Sequence, residues 1–407
     1  MQEKTFDIVV WGATGFTGKL VVEYLYQKYG LDNELKWAIA GRNQVKLDAV
    51  KQELGASHIP ILIANSFDKS SLQEMASQAK VICSTVGPYA LYGTLLVEAC
   101  LENGTHYCDL TGEVQWMRKM IDQHHETAKE KKVKIVHCCG FDSIPSDYGI
   151  WFLQQEALKH FGQYCKEVKM RVKGATGGFS GGTYISLTNA LAEGEKDPKI
   201  NQVLADPYSL NPPAERSGKD QAESLNAFYD PDFKVWMGPF VMAFINTKVI
   251  RRSHALAGYP YGHDFSYSEA IWYGKGLRAR IIANLSSLFM KLLLSKMSNS
   301  FLKKITDRLF PKPGQGPSAE IRDKGFFNLL FYGKTEGNQT IKVKVIGDKD
   351  PGYGSTSKML AESAVCLAKD QDKSPSTYGV LTPSVAMGEV LFDRLINHAG
   401  ITFELKN

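Results

Sequence analysis

Three groups of residues have types and spacings that could do chemistry. The first is Gly12-Ala13-Thr14-Gly15-Phe16-Thr17-Gly18. Glycines at this spacing have separate uses: one permits a tight turn, one lets a pyrophosphate approach the backbone, and one lets a helix pack closely on a strand. The anion would then lie on free N–H groups at the positive end of that helix. The second group is Arg42-Asn43. A dinucleotide fold selective for NAD carries a carboxylate here, bonded to the ribose 2′-hydroxyl. A guanidinium fork instead matches a 2′-phosphate, so the pattern favours NADP(H). A solvated surface arginine is the plainer alternative. The third group is Gly87-Pro88-Tyr89 with Tyr92, and Gly140-Phe141-Asp142-Ser143. Gly87, Pro88, Gly140 and Phe141 are expected at the cofactor. Tyr89, Tyr92, Asp142 and Ser143 are the candidates to supply or polarise a proton beside a hydride acceptor. Asp142 could equally orient the nicotinamide amide or cap the following helix.

The elements that must position these residues follow from hydrophobic pattern. Ile8-Val9-Val10-Trp11 is an apolar run that reads as a strand buried on both faces. It runs into the glycine turn, after which Leu20, Val21, Tyr24 and Leu25 recur at helical spacing. A triplet between a buried strand and an amphipathic helix is a far more specific signal than glycines alone. Further strands are predicted at 35–40, 59–64, 81–86, 105–110 and 133–139, alternating with helices. Asp68 either caps a helix or faces the adenine. The expectation is a doubly wound parallel Rossmann sheet over residues 1–160.

After about residue 162 the pattern changes. Gly177 to Thr183 is glycine-rich and opens a helix, but lacks the lysine of a phosphate-binding P-loop. Segment 197–240 reads as a long ordered loop. Phe240 to Ile250, Phe326 to Tyr332 and Gln339 to Ile346 read as strands, giving an inserted α+β domain over 161–350. Residues 351–407 are expected to return and complete the first domain. Lys275 to Phe310 stands apart as a basic amphipathic stretch, too interrupted for the roughly 20 apolar residues of a membrane span. It suits an anionic membrane surface or a carrier protein, or simply packing on its own domain or in a homodimer.

Composition bounds the rest. The chain has 407 residues, 43% hydrophobic, with a formal net charge of +5. Two domains fit this length. Nothing interleaves basic and aromatic residues as a nucleic-acid surface does. The seven cysteines are odd in number and form no CxxC pair, which argues against zinc and against a disulfide framework. No metal site is expected. Phe6 already begins a strand, leaving no room for a signal peptide, so a cytoplasmic protein is expected.

Several stretches together resemble one family. GATGFTG, AGR, VGPYALYG, YCDLTGE, GFDSIPSD, SGGT and GYGSTSKMLAE are similar to the saccharopine dehydrogenase-like oxidoreductases. With the closing GVLTPSVAMGEVLFDRL, the set resembles the trans-acting enoyl reductases of bacterial lipid-polyketide synthesis, and also the saccharopine dehydrogenase-like proteins of animals, which associate with lipid surfaces. The resemblance implies an NADP(H)-dependent enzyme acting on a C=C bond of a lipophilic acyl or polyketide substrate. Alternatives are a C–N reductase of saccharopine type, and a non-catalytic NADP-binding or lipid-surface protein. The saccharopine reading needs cations to clamp substrate carboxylates. Arg251-Arg252, in what reads as a strand, would point to opposite faces.

Overall fold

The computed structural model describes residues 3–31, 34–177, 181–297 and 316–406. In chain order the first elements are β1 (Phe6–Trp11), α1 (Phe16–Tyr29), β2 (Trp37–Gly41), α2 (Gln44–Glu53), β3 (Ile61–Ile63), α3 (Lys69–Ser77), β4 (Ala79–Ser84), α4 (Tyr89–Tyr92), α5 (Thr94–Glu102), β5 (His106–Asp109), α6 (Val114–Glu130) and β6 (Lys134–Val136). Then come α7 (Ile144–Phe161), β7 (Cys165–Thr176), α8 (Gly181–Lys196), α9 (Pro198–Ala205), β8 (Phe228–Asp230), β9 (Val235–Gly238), α10 (Ala243–Leu256), β10 (Ser266–Gly274) and α11 (Gly276–Met297). The last are α12 (Ala319–Lys324), β11 (Phe326–Thr335), β12 (Thr340–Gly347), α13 (Thr356–Lys369), β13 (Gly379–Leu381), α14 (Pro383–Asn397) and β14 (Ile401–Lys406).

The chain forms two compact units. Of the described residues, the first is built from 3–31, 34–144, 316 and 352–400, the second from 145–177, 181–297, 317–351 and 401–406. The first holds a parallel sheet ordered β13-β6-β5-β4-β1-β2-β3. Its inner strands β1, β2 and β6 are buried almost along their length, as strands covered by helices on both faces must be, while the edge strand β3 is partly exposed. Trp11 pairs with Ala40 on one side and Ser84 on the other, and Ser84 pairs with Asp109. The loops that follow these strands therefore leave from one edge. Strand order reverses about β1, so the crevice beyond β1 and β4 is the topological switch point where such sheets bind ligands.

The second unit holds a mixed sheet ordered β14-β12-β11-β7-β10-β9-β8, in which only β7 and β10 run parallel. Phe327, Leu329 and Phe331 of β11 alternate with less buried neighbours, the period of a sheet covered on one face. Gly149 of α7 lies against Phe331; a Cβ there would come within 2.3 Å of the ring.

Three expectations are corrected. Phe240 to Ile250 is not a strand but the start of α10, which is buried on nearly every side from Asn246 to Ala255. A helix so enclosed shows no amphipathic period, and its β-branched Ile245, Val249 and Ile250 then read as strand. Segment 197–240 is not all loop. Asp197 caps α9 by accepting the Lys199 N–H at 2.9 Å, with Pro198 at the first helical position, and β8 and β9 follow. The returning tail divides: α13, β13 and α14 join the first unit, while β14 pairs with β12 in the second sheet. Of the glycine-rich stretch at 177–183, residues 178–180 lie outside the described residues.

Candidate cofactor site and active site

The turn after β1 has the shape its glycines imply. Gly12 adopts φ +89°, where a side chain is strained, and a Cβ there would meet Val86 Cγ2 at 2.6 Å and Thr85 Oγ1 at 2.7 Å. A Cβ on Gly18 would fall 2.1 Å from the Gly12 carbonyl oxygen, so α1 approaches the turn as closely as backbone allows. Thr85 pins the turn from β4, its N–H donating to the Trp11 carbonyl at 2.9 Å and its hydroxyl to the Gly12 carbonyl at 3.2 Å. Gly15 is the N-cap of α1 and offers no side-chain cap, and the first turn has no acid. Thr14, Phe16 and Thr17 are partly exposed, Gly15 is exposed, and Ala13 is buried. Bare N–H groups at a positive helix end fit a pyrophosphate.

Arg42 is exposed at the end of β2 and has no ion-pair partner among the described residues. Lys46, one turn on, is exposed and likewise unpaired. Asn43 is spent locally, its Oδ1 accepting the Lys46 N–H at 3.0 Å as the cap of α2. Asp68 caps α3 through the Ser70 N–H, at 3.0 Å.

The β4 loop contains a cis Gly87-Pro88 bond and leads into α4. The Glu113 carboxylate holds this helix start, accepting the Tyr89 N–H at 2.8 Å and the Ala90 N–H at 2.9 Å. Tyr89 itself is buried. Its hydroxyl donates to the Ser84 carbonyl at 3.1 Å, and its ring stacks on Trp116 at 5.5 Å. Burial, with the Asp109 charge added, raises that phenol well above its ordinary range. A hydroxyl committed to backbone in the core is a structural group here. Tyr92 is partly exposed and meets Phe67 edge-on at 5.6 Å.

Asp142 lies in the loop after β6, partly exposed. Burial first, and the Asp109 charge after it, push its carboxyl up to about 7. The loop is fixed from α13, where the Thr356 hydroxyl accepts the Phe141 N–H at 3.0 Å. Gly140 makes room for this: a Cβ would sit 2.8 Å from Thr356 Cγ2 and 2.9 Å from Asp142 Oδ2. Ser143 is fully buried.

Three groups not singled out by sequence pattern also build this edge. Asp109 Oδ2 bonds His137 Nδ1 at 2.8 Å, both buried, at the ends of β5 and β6. Glu113 sets the β4 loop. Tyr353, just before α13, packs edge-on against Phe16 at 4.7 Å. The sequence did carry a signal for the last, since GYGST opens a helix as GATGFTG does. Among the described residues no cluster of side chains could hold a metal ion. All seven cysteines are buried free thiols.

Comparison with known proteins agrees with this geometry. Residues 8–136 match the family model of the saccharopine dehydrogenase NADP binding domain. A provisionally named trans-acting enoyl reductase of Mycobacterium tuberculosis is 39% identical over 405 residues, spanning 96% of each chain. A trans-acting enoyl reductase of Mycobacterium bovis is 34% identical over 412 residues, spanning 97% of this chain and 96% of that one. The solved apo saccharopine dehydrogenase (L-Glu forming) of Saccharomyces cerevisiae shares the fold, with a TM-score of 0.52 at 11% identity over 98% of this chain and 99% of that one. The chain belongs to the saccharopine dehydrogenase-like family, and is an NADP-dependent oxidoreductase with a Rossmann sheet and a second mixed-sheet domain.

Proposed function

We propose that the protein reduces a C=C bond conjugated to the carbonyl of a lipophilic acyl substrate, with NADPH as reductant. The observation that carries this is similarity along the whole chain, not only its nucleotide domain, to proteins named trans-acting enoyl reductases. NADPH, when bound, supplies a hydride. Gly12 to Gly18 and the start of α1 would hold the pyrophosphate, and Arg42 with Lys46 would hold the 2′-phosphate. The remaining requirement is a proton for the enolate. Asp142 is the residue we assign to it, because a carboxyl pushed up to about 7 is still partly protonated at neutral pH and can donate that proton from Oδ. Tyr92 is the second candidate on the same edge. Gly87, Pro88, Gly140 and Phe141 shape the loops that carry these two residues.

A C–N reductase of saccharopine type is the other reading to weigh. Its carboxylate clamp does not come from Arg251-Arg252. Arg251 pairs with Asp220 at 2.8 Å and Glu223 at 3.5 Å, and Arg252 donates to the Leu210 carbonyl. The carboxylates that Arg251 holds are the chain's own.

A lipophilic substrate suits a lipid surface, and α11 supports that partner. The helix packs by its small residues: Ala279, Ala283 and Ser287 are buried. Leu277, Ile281, Leu285, Leu288, Phe289 and Leu292 face outward, with Leu277 70% and Phe289 62% exposed. Arg278, Arg280 and Lys291 flank them, and the helix carries no acid. An apolar face about 24 Å long, on a helix whose charged residues are all cations, suits an anionic bilayer surface. No helix among the described residues is long and apolar enough to cross a membrane. Lys303, Lys304 and Arg308, part of the same basic stretch, lie outside the described residues.

Screening 2-enoyl thioesters of increasing chain length beside 2-oxo acid and amine pairs tests the reaction. NADPH oxidation by the thioesters alone is expected. Oxidation by the acid and amine pairs alone would replace this reading with the C–N reductase.

A further inference from the structure

Among its described residues the first unit exposes five large apolar side chains, and four of them gather at one edge of its sheet. Ile63 ends β3, Phe67 lies in the loop after it, Val45 stands in the first turn of α2, and Leu91 is in α4. Val45 and Phe67 are the most open, at 77% and 68% exposure. Single exposed apolar residues are ordinary, but a group of them beside a ligand crevice marks a surface that something covers. Phe67 is also held in its exposed position. Asn65 Oδ1 accepts the Phe67 N–H at 3.2 Å, and the Asn65 N–H donates to Ser71 Oγ at 3.0 Å. The Ser71 hydroxyl donates to the Asp68 carbonyl at 3.0 Å. A loop so tied presents its aromatic ring by construction.

The sheet says what lies beside that ring. Gly41 pairs with Ile63, and the Ala64 N–H donates to the Gly41 carbonyl at 3.1 Å, so the Phe67 loop starts next to Arg42. On its other side Phe67 meets Tyr92 of the β4 loop at 5.6 Å and 70°. β3 and β4 flank β1 and β2 in the sheet, so this contact joins two loops across the strands that carry the glycine turn and Arg42. Phe67 remains mostly open despite it, which leaves room for a flat partner. Asp68 does not compete for that partner, because its carboxylate is spent as the cap of α3. In NADP(H) the 2′-phosphate and the adenine are borne by one ribose, so a base must lie within a sugar's width of whatever holds the phosphate. Purines stack on aromatic side chains through their π-faces, without need of hydrogen-bond readout.

We propose that Phe67 is the platform on which the adenine of NADP(H) stacks, braced by Tyr92. The inference rests on the reading that Arg42 takes the 2′-phosphate. It sets Tyr92 at the adenine end of the crevice and leaves the proton to Asp142. Isothermal titration of the full chain with NADPH, 2′,5′-ADP, 5′-AMP and reduced nicotinamide mononucleotide tests it. Phe67→Ala should weaken the three adenine nucleotides by one common factor of ~10, the scale of a single base–aromatic stack, and leave the mononucleotide unchanged. Phe67→Tyr should restore all three. The side chain is exposed, so thermal unfolding should not move in either variant. 5′-AMP separates this role from that of Arg42, since Arg42→Ala should weaken 2′,5′-ADP and spare 5′-AMP. Unchanged 5′-AMP affinity in Phe67→Ala would overturn the proposal, as would an equal loss for the nicotinamide mononucleotide.

Discussion

Asp142 is pushed up to about 7, and so stays partly protonated at neutral pH, because its surroundings disfavour the carboxylate: burial is the larger cause and the Asp109 charge the smaller. The acid form is the one that donates, so turnover should be full below about pH 7 and fall as pH rises through it. Asp142→Asn should lower kcat by ~10²–10⁴ and remove that limb of the profile, leaving NADPH affinity intact. An unchanged profile in the variant would assign the proton to another group. At the other end of the cofactor site, Arg42→Ala would remove the charge-assisted contact proposed for the 2′-phosphate. NADPH should bind ~10–100-fold more weakly and NADH equally well, as read by nicotinamide fluorescence. Equal loss for both would refute the 2′-phosphate role. The position of Arg42 at the end of β2 was legible in the sequence because it follows from the strand before it. The fate of Tyr89 was not, because its burial depends on Trp116, Glu113 and the Ser84 carbonyl, all set by tertiary packing.

The helices that carry these residues are held by polar contacts far apart in sequence. Glu362 of α13 accepts the Tyr24 and Tyr29 hydroxyls of α1, each at 2.6 Å, and pairs with Arg394 of α14 at 3.0 Å. This buried network ties α1, and so the glycine turn, to the returning part of the chain. Its members read as ordinary helix residues until the fold brings them together. The first sheet, by contrast, was legible almost strand by strand, since fully buried parallel strands are near-continuous apolar runs. α11 was legible as amphipathic but not in its orientation. Only the packing of Ala279, Ala283 and Ser287 shows that the large apolar residues face outward. The full chain should therefore sediment with vesicles of phosphatidylcholine and phosphatidylserine, and less with phosphatidylcholine alone. Leu285→Asp combined with Phe289→Asp should abolish this. Undiminished sedimentation would exclude α11 as the lipid contact, and a change of oligomeric state in the variant would point to a second copy on that face.

At the scale of the molecule, the chain leaves its parallel sheet after residue 144, builds a mixed sheet, returns for residues 352–400, and ends as a strand of the second unit. The first unit is the one its motifs announce. The second has no comparable sequence signature, because half-exposed antiparallel strands and an enclosed helix such as α10 yield weak or misleading periods. The proposed reaction is delivery of a hydride by this chain to an enoyl carbon. The most direct measurement follows deuterium from NADPH, labelled at its transferable position, into a long-chain 2-enoyl thioester, read by mass spectrometry of the product. The expected result is a saturated thioester with the label on Cβ. Unreacted enoyl thioester, with the label appearing instead in a secondary amine formed from a 2-oxo acid and an amine, would contradict it.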